Sequence, residues 1–307
     1  MQPKNRFTMC TFSMTIKTLL LGLCLTACLE ESDSQGSVVQ IDYDTHNYVD
    51  GNGEMRSNTA YVYLPYGYEE SSDECYDVFY FVHGHGETAA SFFQNENGMM
   101  RNLLDHLIAK GDMSPVIVVS TSYVYGTPVD YYPDADPYCK ALPQELVNDL
   151  IPLVESRYRT YAQQTDFKGL QASRNHRAIG GFSMGAVTTW YALECTLDCF
   201  KYFMPISSDG WSLGRFAGMD YPDETAAHLA DIIRSSSPSG NDFYIWACSG
   251  TDDVAYDRIW TQVQAMAQIT DVFDVNHLTF HEQEGARHVF GSLTEYFYNA
   301  LPYLFPN

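Results

Sequence analysis

The stretch Gly181-Phe182-Ser183-Met184-Gly185 lies between an apolar, strand-like segment at residues 177–182 and an apolar stretch of helix length at residues 186–193. It matches the G-x-S-x-G nucleophile elbow, in which a serine occupies a tight strand-to-helix turn and its hydroxyl is pushed clear of the sheet. Glycines flank such a serine because a side chain two positions away on either side clashes in the turn. The stretch therefore predicts an α/β fold with Ser183 as a nucleophile.

The remainder of the chain alternates short β-rich runs with amphipathic stretches of helix length. This pattern is typical of a mostly parallel central sheet with helices on both faces. The first two predicted strands are expected to pair as an antiparallel hairpin at the sheet edge, and the later ones to be buried parallel strands. The predicted strands are residues 38–44, 60–64, 78–82, 116–121, 177–182, 202–207, 243–247 and 278–280, and the predicted helices are residues 99–109, 144–158, 186–193, 226–234, 258–269 and 293–301.

A serine hydroxyl needs a base to take its proton, and the base needs a carboxylate to orient it. In this fold class the acid and then the histidine follow the serine along the chain. His288 lies in a glycine-led loop after the last predicted strand and is the expected base, whereas His281, at the end of that strand, is expected to be a packed or surface histidine.

Two adjacent carboxylates, Asp252 and Asp253, follow the predicted strand at residues 243–247. Successive residues in a turn point in different directions, so only one of them can reach the imidazole. The residues alone leave this choice open.

Attack of a serine on an acyl carbon also requires donors that stabilise an oxyanion. The Met184 N–H is expected at a helix N-terminus, where N–H groups lack intrahelical partners. The second donor is expected to be the N–H of His85, in the His83-Gly84-His85-Gly86 loop after the strand at residues 78–82. The rings of His83 and His85 are expected mainly to shape this loop.

Composition limits the classes of function that remain. With 307 residues, 45% of them hydrophobic, the chain can bury a large core, and a formal charge of −22 repels phosphate backbones and anionic membrane surfaces. Nucleic acid is therefore not an expected partner. No cysteine or histidine spacing indicates zinc, and neither a metal nor a cofactor is expected. A disulfide between Cys195 and Cys199 is possible, as is one buried and one exposed thiol.

The N-terminus has the pattern of a secretory signal. Residues 1–27 contain three basic residues, no acidic residue, and an apolar run too short to span a bilayer. The segment Leu25-Thr26-Ala27-Cys28 resembles the lipobox of bacterial lipoproteins, so Cys28 is the expected site of lipidation. Residues 28–37 then form an acidic tether, and residues 38–307 form one domain. The protein is expected to be secreted and held at the outer membrane or cell surface only through the lipid.

Several segments together resemble the esterase-D-like α/β hydrolases, and more closely the feruloyl esterases of carbohydrate esterase family one that are attached to bacterial xylanases. The resemblance spans residue 60 to the end and implies the α/β-hydrolase fold. It also implies Asp253 as the acid, and Trp211 in a Pro-x-Ser-x-Asp-x-Trp pattern as a residue that lines the substrate. The segments that carry it are residues 172–177, 180–191, 205–211, 250–256, 285–288 and 300–305.

The resemblance further implies hydrolysis of feruloyl esters on plant cell-wall arabinoxylan or on feruloylated oligosaccharides. Acetylxylan esterase activity is an alternative, and a surface protein that only binds polysaccharide is a non-enzymatic one, against which the complete triad argues. The sequence departs from the family at Ala186, where a second glycine often follows the elbow, and at His85, where glycine is common. The larger His85 side chain is expected to lie beside the acyl pocket.

Overall fold

The computed structural model describes residues 34–69, 73–124, 129–237 and 242–305. The predicted signal at residues 1–27 and its lipidation site Cys28 lie outside these ranges. Within them, no helix is long and apolar enough to cross a membrane.

One sheet organises the described part of the chain. Its eight strands lie in the order β1-β2-β4-β3-β5-β6-β7-β8. β1 and β2 form the predicted antiparallel hairpin at one edge, β2 is also antiparallel to β4, and the strands from β4 to β8 are mutually parallel. The strands are β1 Ser37–His46, β2 Met55–Leu64, β3 Asp77–Val82, β4 Val116–Thr121, β5 Arg177–Phe182, β6 Tyr202–Ile206, β7 Tyr244–Gly250 and β8 Leu278–Gln283.

The expectation that every later strand is buried is wrong for β8. It forms the second edge of the sheet, and none of its residues is buried. It also continues three residues beyond its predicted end, so His281 lies within the strand. Likewise β7 ends at Gly250, three residues later than predicted.

Helices cover both faces of the sheet, as expected. Alternate side chains of a strand point to opposite faces, and in β3 Val78, Tyr80 and Val82 enter one core cluster, while Phe79 and Phe81 enter the other. The helices are α1 Ser91–Gln94, α2 Met99–Lys110, α3 Asp136–Glu145, α4 Ile151–Arg157, α5 Phe167–Ala172, α6 Met184–Cys195, α7 Ala217–Asp220, α8 Pro222–Ser235, α9 Tyr256–Met266 and α10 Leu293–Ala300.

The predicted helix at residues 144–158 is the least accurate of the six. The helical segment begins at Asp136, passes through a π turn at Leu146–Leu150 and ends at Arg157. Pro143 lies inside α3. Proline lacks an N–H and disfavours helix interiors. The sequence pattern therefore indicates no helix before residue 144, although residues 136–143 are helical.

A buried ion pair joins β5 to the helical layer. Arg177 donates two hydrogen bonds to the Glu155 carboxylate, at 2.6 and 2.7 Å, and both side chains are 1% exposed. Its other N–H groups bond to the Leu170 and Cys199 carbonyls and to the Ser173 hydroxyl, so the guanidinium is fully satisfied. This network anchors the start of the strand that ends at Ser183.

We expect Glu155→Leu to lower the free energy of unfolding by about 3–5 kcal/mol, because it leaves the Arg177 charge buried without its partner. The double variant Glu155→Leu/Arg177→Met should recover most of the loss. Denaturant titrations measure both values. The matched control is Asp271→Ala, which removes the solvent-exposed partner of Arg234 and should leave the midpoint unchanged. A single Glu155 variant as stable as the parent would contradict the expectation.

Candidate active site

Ser183 lies at the turn between β5 and α6 and has a strained backbone, with φ 56° and ψ −112°. Such a conformation costs on the order of 1–3 kcal/mol and persists only where the surroundings enforce it. A Cβ at Gly185 would lie 2.0 Å from the Val82 carbonyl oxygen, and one at Gly181 would lie 2.5 Å from the Gly185 carbonyl carbon. The two glycines of the elbow are therefore required by the close approach of α6 to β3.

The structure brings the three predicted side chains of the triad together. Ser183 Oγ lies 2.9 Å from His288 Nε2, and His288 Nδ1 lies 2.8 Å from Asp253 Oδ1. Because the carboxylate only accepts hydrogen bonds, Nδ1 carries the proton and Nε2 is free to accept the hydroxyl proton. This is the arrangement in which an imidazole can act as the base for a serine.

The two adjacent carboxylates, Asp252 and Asp253, differ in burial. The Asp253 side chain is 0% exposed, and its Oδ1 also accepts the N–H of Ala255 at 2.7 Å. Asp252 is exposed, and its N–H donates to the Ala286 carbonyl. Only Asp253 faces His288.

The loop that carries His288 is bonded to the loop that carries Asp253. Besides the bond from Asp252 to Ala286, the Gly285 N–H donates to Thr251 Oγ1 at 2.7 Å. The ring of Phe182 packs against the His288 ring, with centroids 4.6 Å apart. These contacts hold the imidazole over the elbow.

His281 is not part of this arrangement. Its ring stacks on Trp246 with centroids 5.9 Å apart, and its Nε2 lies 3.3 Å from Gln283 Oε1. It is a packed histidine at the sheet edge.

Both candidate oxyanion donors belong to residues that line the cavity of Ser183. Met184 is the first residue of α6, so its N–H has no partner in a preceding helical turn. The loop before His85 approaches the elbow closely, since a Cβ at Gly84 would lie 3.1 Å from the Phe182 ring. The His85 side chain is half-buried and lies beside Tyr132, with ring centroids 6.3 Å apart.

The His83 ring bonds to the loop at residues 83–88, here called the oxyanion loop, and to Ser122, the residue after β4. Its Nδ1 donates to the Gly84 carbonyl at 2.7 Å, and its Nε2 accepts the Ser122 hydroxyl at 2.8 Å. Burial lowers the pKa of His83 to about 4, so the ring is neutral near pH 7. Glu87 completes the loop by accepting the Gly84 N–H at 3.1 Å, and burial raises the pKa of its carboxyl.

The cavity at Ser183 has a volume of about 380 Å³. Aromatic side chains form much of its wall, and one cation, Arg258, and one carboxyl, Glu87, also reach it. Trp211 is 2% exposed, and its indole N–H donates to Asp209 at 3.1 Å. The aromatic residues of the wall are Tyr132, Phe182, Trp211 and Phe290.

Sequence reasoning did not identify several residues of this wall. Tyr132 and Phe290 each begin a short 3₁₀ helix. Arg258 lies near the start of α9, with its guanidinium 4.6 Å from the centre of the Phe216 ring. Ser207 lines the floor with φ 58°. Tyr132, Arg258 and Phe290 lie in no pattern that marks them before the fold is known, whereas Ser207 is the serine of the Pro-x-Ser-x-Asp-x-Trp pattern that contains Trp211.

The described residues contain no group of three or more histidine, cysteine, aspartate or glutamate side chains placed to hold a metal ion. The cysteines at positions 75, 139, 195, 199 and 248 are free thiols, so Cys195 and Cys199 do not form the bridge that the sequence allowed.

A protein family described as "Putative esterase" matches residues 53–303 of the chain. The chain belongs to this esterase family. The predicted carboxylic ester hydrolase class is confirmed by this match, and the predicted α/β-hydrolase fold by the mostly parallel sheet and by the similarity to solved esterase structures.

The esterase is similar to parts of larger curated proteins. It is 38% identical over 251 residues to endo-1,4-beta-xylanase Y of Acetivibrio thermocellus, a match that covers 80% of this chain and 21% of that protein. It is 30% identical over 162 residues to an endo-1,4-beta-xylanase/feruloyl esterase of Xylanibacter ruminicola, covering 51% of this chain and 19% of that protein. The chain thus spans about a fifth of the length of the curated relatives it matches.

Among solved structures, the esterase resembles the feruloyl esterase module from Clostridium thermocellum, determined as a serine-to-alanine mutant complexed with sinapinate. The identity is 34%, the TM-score is 0.78, and the match covers 91% of each chain. The predicted resemblance to feruloyl esterases attached to xylanases is confirmed.

Proposed function

We propose that this esterase hydrolyses feruloyl and related hydroxycinnamoyl esters on plant cell-wall arabinoxylan. The observation that carries the proposal is the hydroxyl–imidazole–carboxylate chain of Ser183, His288 and Asp253, with links of 2.9 and 2.8 Å, at an aromatic-walled cavity. The similarity to a feruloyl esterase module complexed with sinapinate supports this acyl class. The similarity to xylanases supports a polysaccharide as the alcohol part.

In the first step Ser183 Oγ attacks the ester carbonyl carbon while His288 Nε2 takes the hydroxyl proton. Asp253 holds the Nδ1–H tautomer and stabilises the imidazolium that forms. The N–H groups of Met184 and His85 donate to the oxyanion of the tetrahedral intermediate. His288 then gives its proton to the departing sugar hydroxyl, and the acyl group remains on Ser183.

In the second step a water molecule replaces the sugar. His288 takes a proton from the water as the water oxygen bonds to the acyl carbon. The bond from that carbon to Ser183 Oγ then breaks, His288 returns the proton to Ser183 Oγ, and the hydroxycinnamic acid leaves. The half-buried rings of Tyr132 and Phe290 offer apolar surface for the acyl ring, and the buried Trp211 lines the same cavity. An acetyl group would leave most of the cavity of about 380 Å³ unfilled, which favours the larger acyl class.

We also propose that residues 1–27 direct export and that Cys28 carries a lipid, so that the esterase acts at the cell surface. The basic and apolar pattern of residues 1–27 and the Leu25-Thr26-Ala27-Cys28 segment support this location. Access to an insoluble polymer requires such an extracellular position.

The purified chain should hydrolyse methyl ferulate with a higher kcat/KM than it shows for the acetyl groups of acetylated xylan. Ser183→Ala should lower kcat on methyl ferulate by about 10⁶-fold, because no other hydroxyl is activated at the site. Release of ferulate and acetate is measured by chromatography. Faster release of acetate would identify an acetylxylan esterase, and binding of xylan without release of either acid would identify a binding protein.

The two adjacent carboxylates provide a matched pair of variants. Asp253→Asn should reduce kcat on methyl ferulate by about 10⁴-fold, because the amide no longer stabilises the correct imidazole tautomer. Asp252→Asn should retain the parent activity, because its side chain is exposed and does not face His288. Equal losses in the two variants would contradict the assignment of Asp253 as the acid.

A further inference from the structure

We propose that a side groove beside the catalytic cavity binds the sugar part of the ester, a neutral pentose-containing oligosaccharide. The side groove is a cavity of about 420 Å³ that has polar side chains from β1, β2 and the oxyanion loop and apolar side chains from the segments that follow that loop and β4. The polar ones include Gln40, Ser57, Thr59, Tyr61 and Thr88, and the apolar ones are Ala89, Ala90, Tyr123, Val124 and Val129. The inference rests on the proposed function and names the site for the part of the substrate that the aromatic cavity does not hold.

The side groove adjoins the catalytic cavity. His85 and Glu87 line both spaces, so the loop that carries them is a wall that the two cavities share. In the ester, the carbonyl carbon joins the flat acyl group to the sugar oxygen. When the acyl group occupies the catalytic cavity, the sugar must extend out of it. The groove on the other side of His85 is the neighbouring space that can receive the sugar.

The groove offers the groups that recognise sugars. Gln40 provides an amide, Ser57, Thr59 and Thr88 provide hydroxyls, and Tyr61 provides a half-buried ring with a hydroxyl. Hydroxyls and amides both donate and accept hydrogen bonds, as sugar hydroxyls require. The residues of the wall that the structure describes include no lysine or arginine, and the chain carries a formal charge of −22, so a neutral sugar fits better than an acidic one.

Hydrogen bonds hold these side chains in place before a ligand arrives. The Tyr61 hydroxyl donates to Gln40 Oε1 at 3.0 Å, the Gln40 amide donates to Asp42 at 3.2 Å, and the Thr59 hydroxyl donates to the same Asp42 oxygen at 2.7 Å. A fixed row of side chains loses less conformational freedom on binding than a mobile one.

The floor of the groove is connected to the oxyanion loop. Asn58 donates to the Ser122 carbonyl at 3.0 Å and to Glu145 at 2.8 Å, and the Ser122 hydroxyl bonds to His83. The groove and the loop that carries His85 are thus parts of one bonded structure. A sugar in the groove is held in a fixed position relative to the oxyanion donors.

The test compares two esters with the same acyl group, methyl ferulate and a feruloylated arabinoxylo-oligosaccharide. Gln40→Ala and Tyr61→Ala should each lower kcat/KM for the oligosaccharide ester by about fivefold more than for methyl ferulate, mainly through KM, because each removes a hydrogen bond to the sugar. Gln40 is exposed, so its variant is expected to fold normally. The control is Ser37→Ala, an exposed change at the first residue of β1 that lies outside the wall of the groove and should leave both values unchanged.

Equal effects of the groove variants on the two esters would overturn the inference. A parent protein that hydrolyses neither ester would instead contradict the proposed function, and calorimetric titration with an unesterified arabinoxylo-oligosaccharide then decides about the groove. Binding to the Ser183→Ala protein that weakens about fivefold on adding Gln40→Ala supports the groove. No binding, or binding that Gln40→Ala does not change, overturns it.

Discussion

The approach of α6 to β3 is the constraint on which the rest of the site depends. The Val82 carbonyl lies where a Cβ of residue 185 would be, so the elbow closes only with glycine at that position and at Gly181. This closeness holds Ser183 at a positive φ and directs its hydroxyl out of the sheet. It also places the Met184 N–H beside the nucleophile. One packing contact therefore positions both the attacking oxygen and one oxyanion donor.

The second half of the triad depends on two loops that fold as a unit. The loop after β7 and the loop after β8 exchange hydrogen bonds through Asp252 and Gly285, and a Cβ at Gly250 would lie 2.1 Å from the Ala286 carbonyl oxygen. Close contact between these loops sets the distance from Asp253 to His288. The buried carboxylate oxygen Oδ1 accepts hydrogen bonds from the imidazole and from the Ala255 N–H.

Much of this site follows from sequence because it depends on local chain geometry. The elbow around Ser183 and the position of His288 after the last strand are set by neighbours in the chain, so a pattern predicts them. The choice between Asp252 and Asp253 depends on which side chain is buried, which the residues alone left open. Other features arise from contacts between segments that are distant in the chain, so no local pattern reveals them. They are the contribution of Tyr132 and Arg258 to the cavity wall and the position of β8 at the edge of the sheet.

The most direct measurement of the central claim is labelling with a serine-directed fluorophosphonate followed by peptide mapping. A fluorophosphonate reacts with a hydroxyl only when a base has activated it. The account predicts one adduct, on Ser183, and its loss in His288→Ala while the protein remains folded. An adduct on a different residue, or undiminished labelling of Ser183 without the His288 imidazole, would contradict the account.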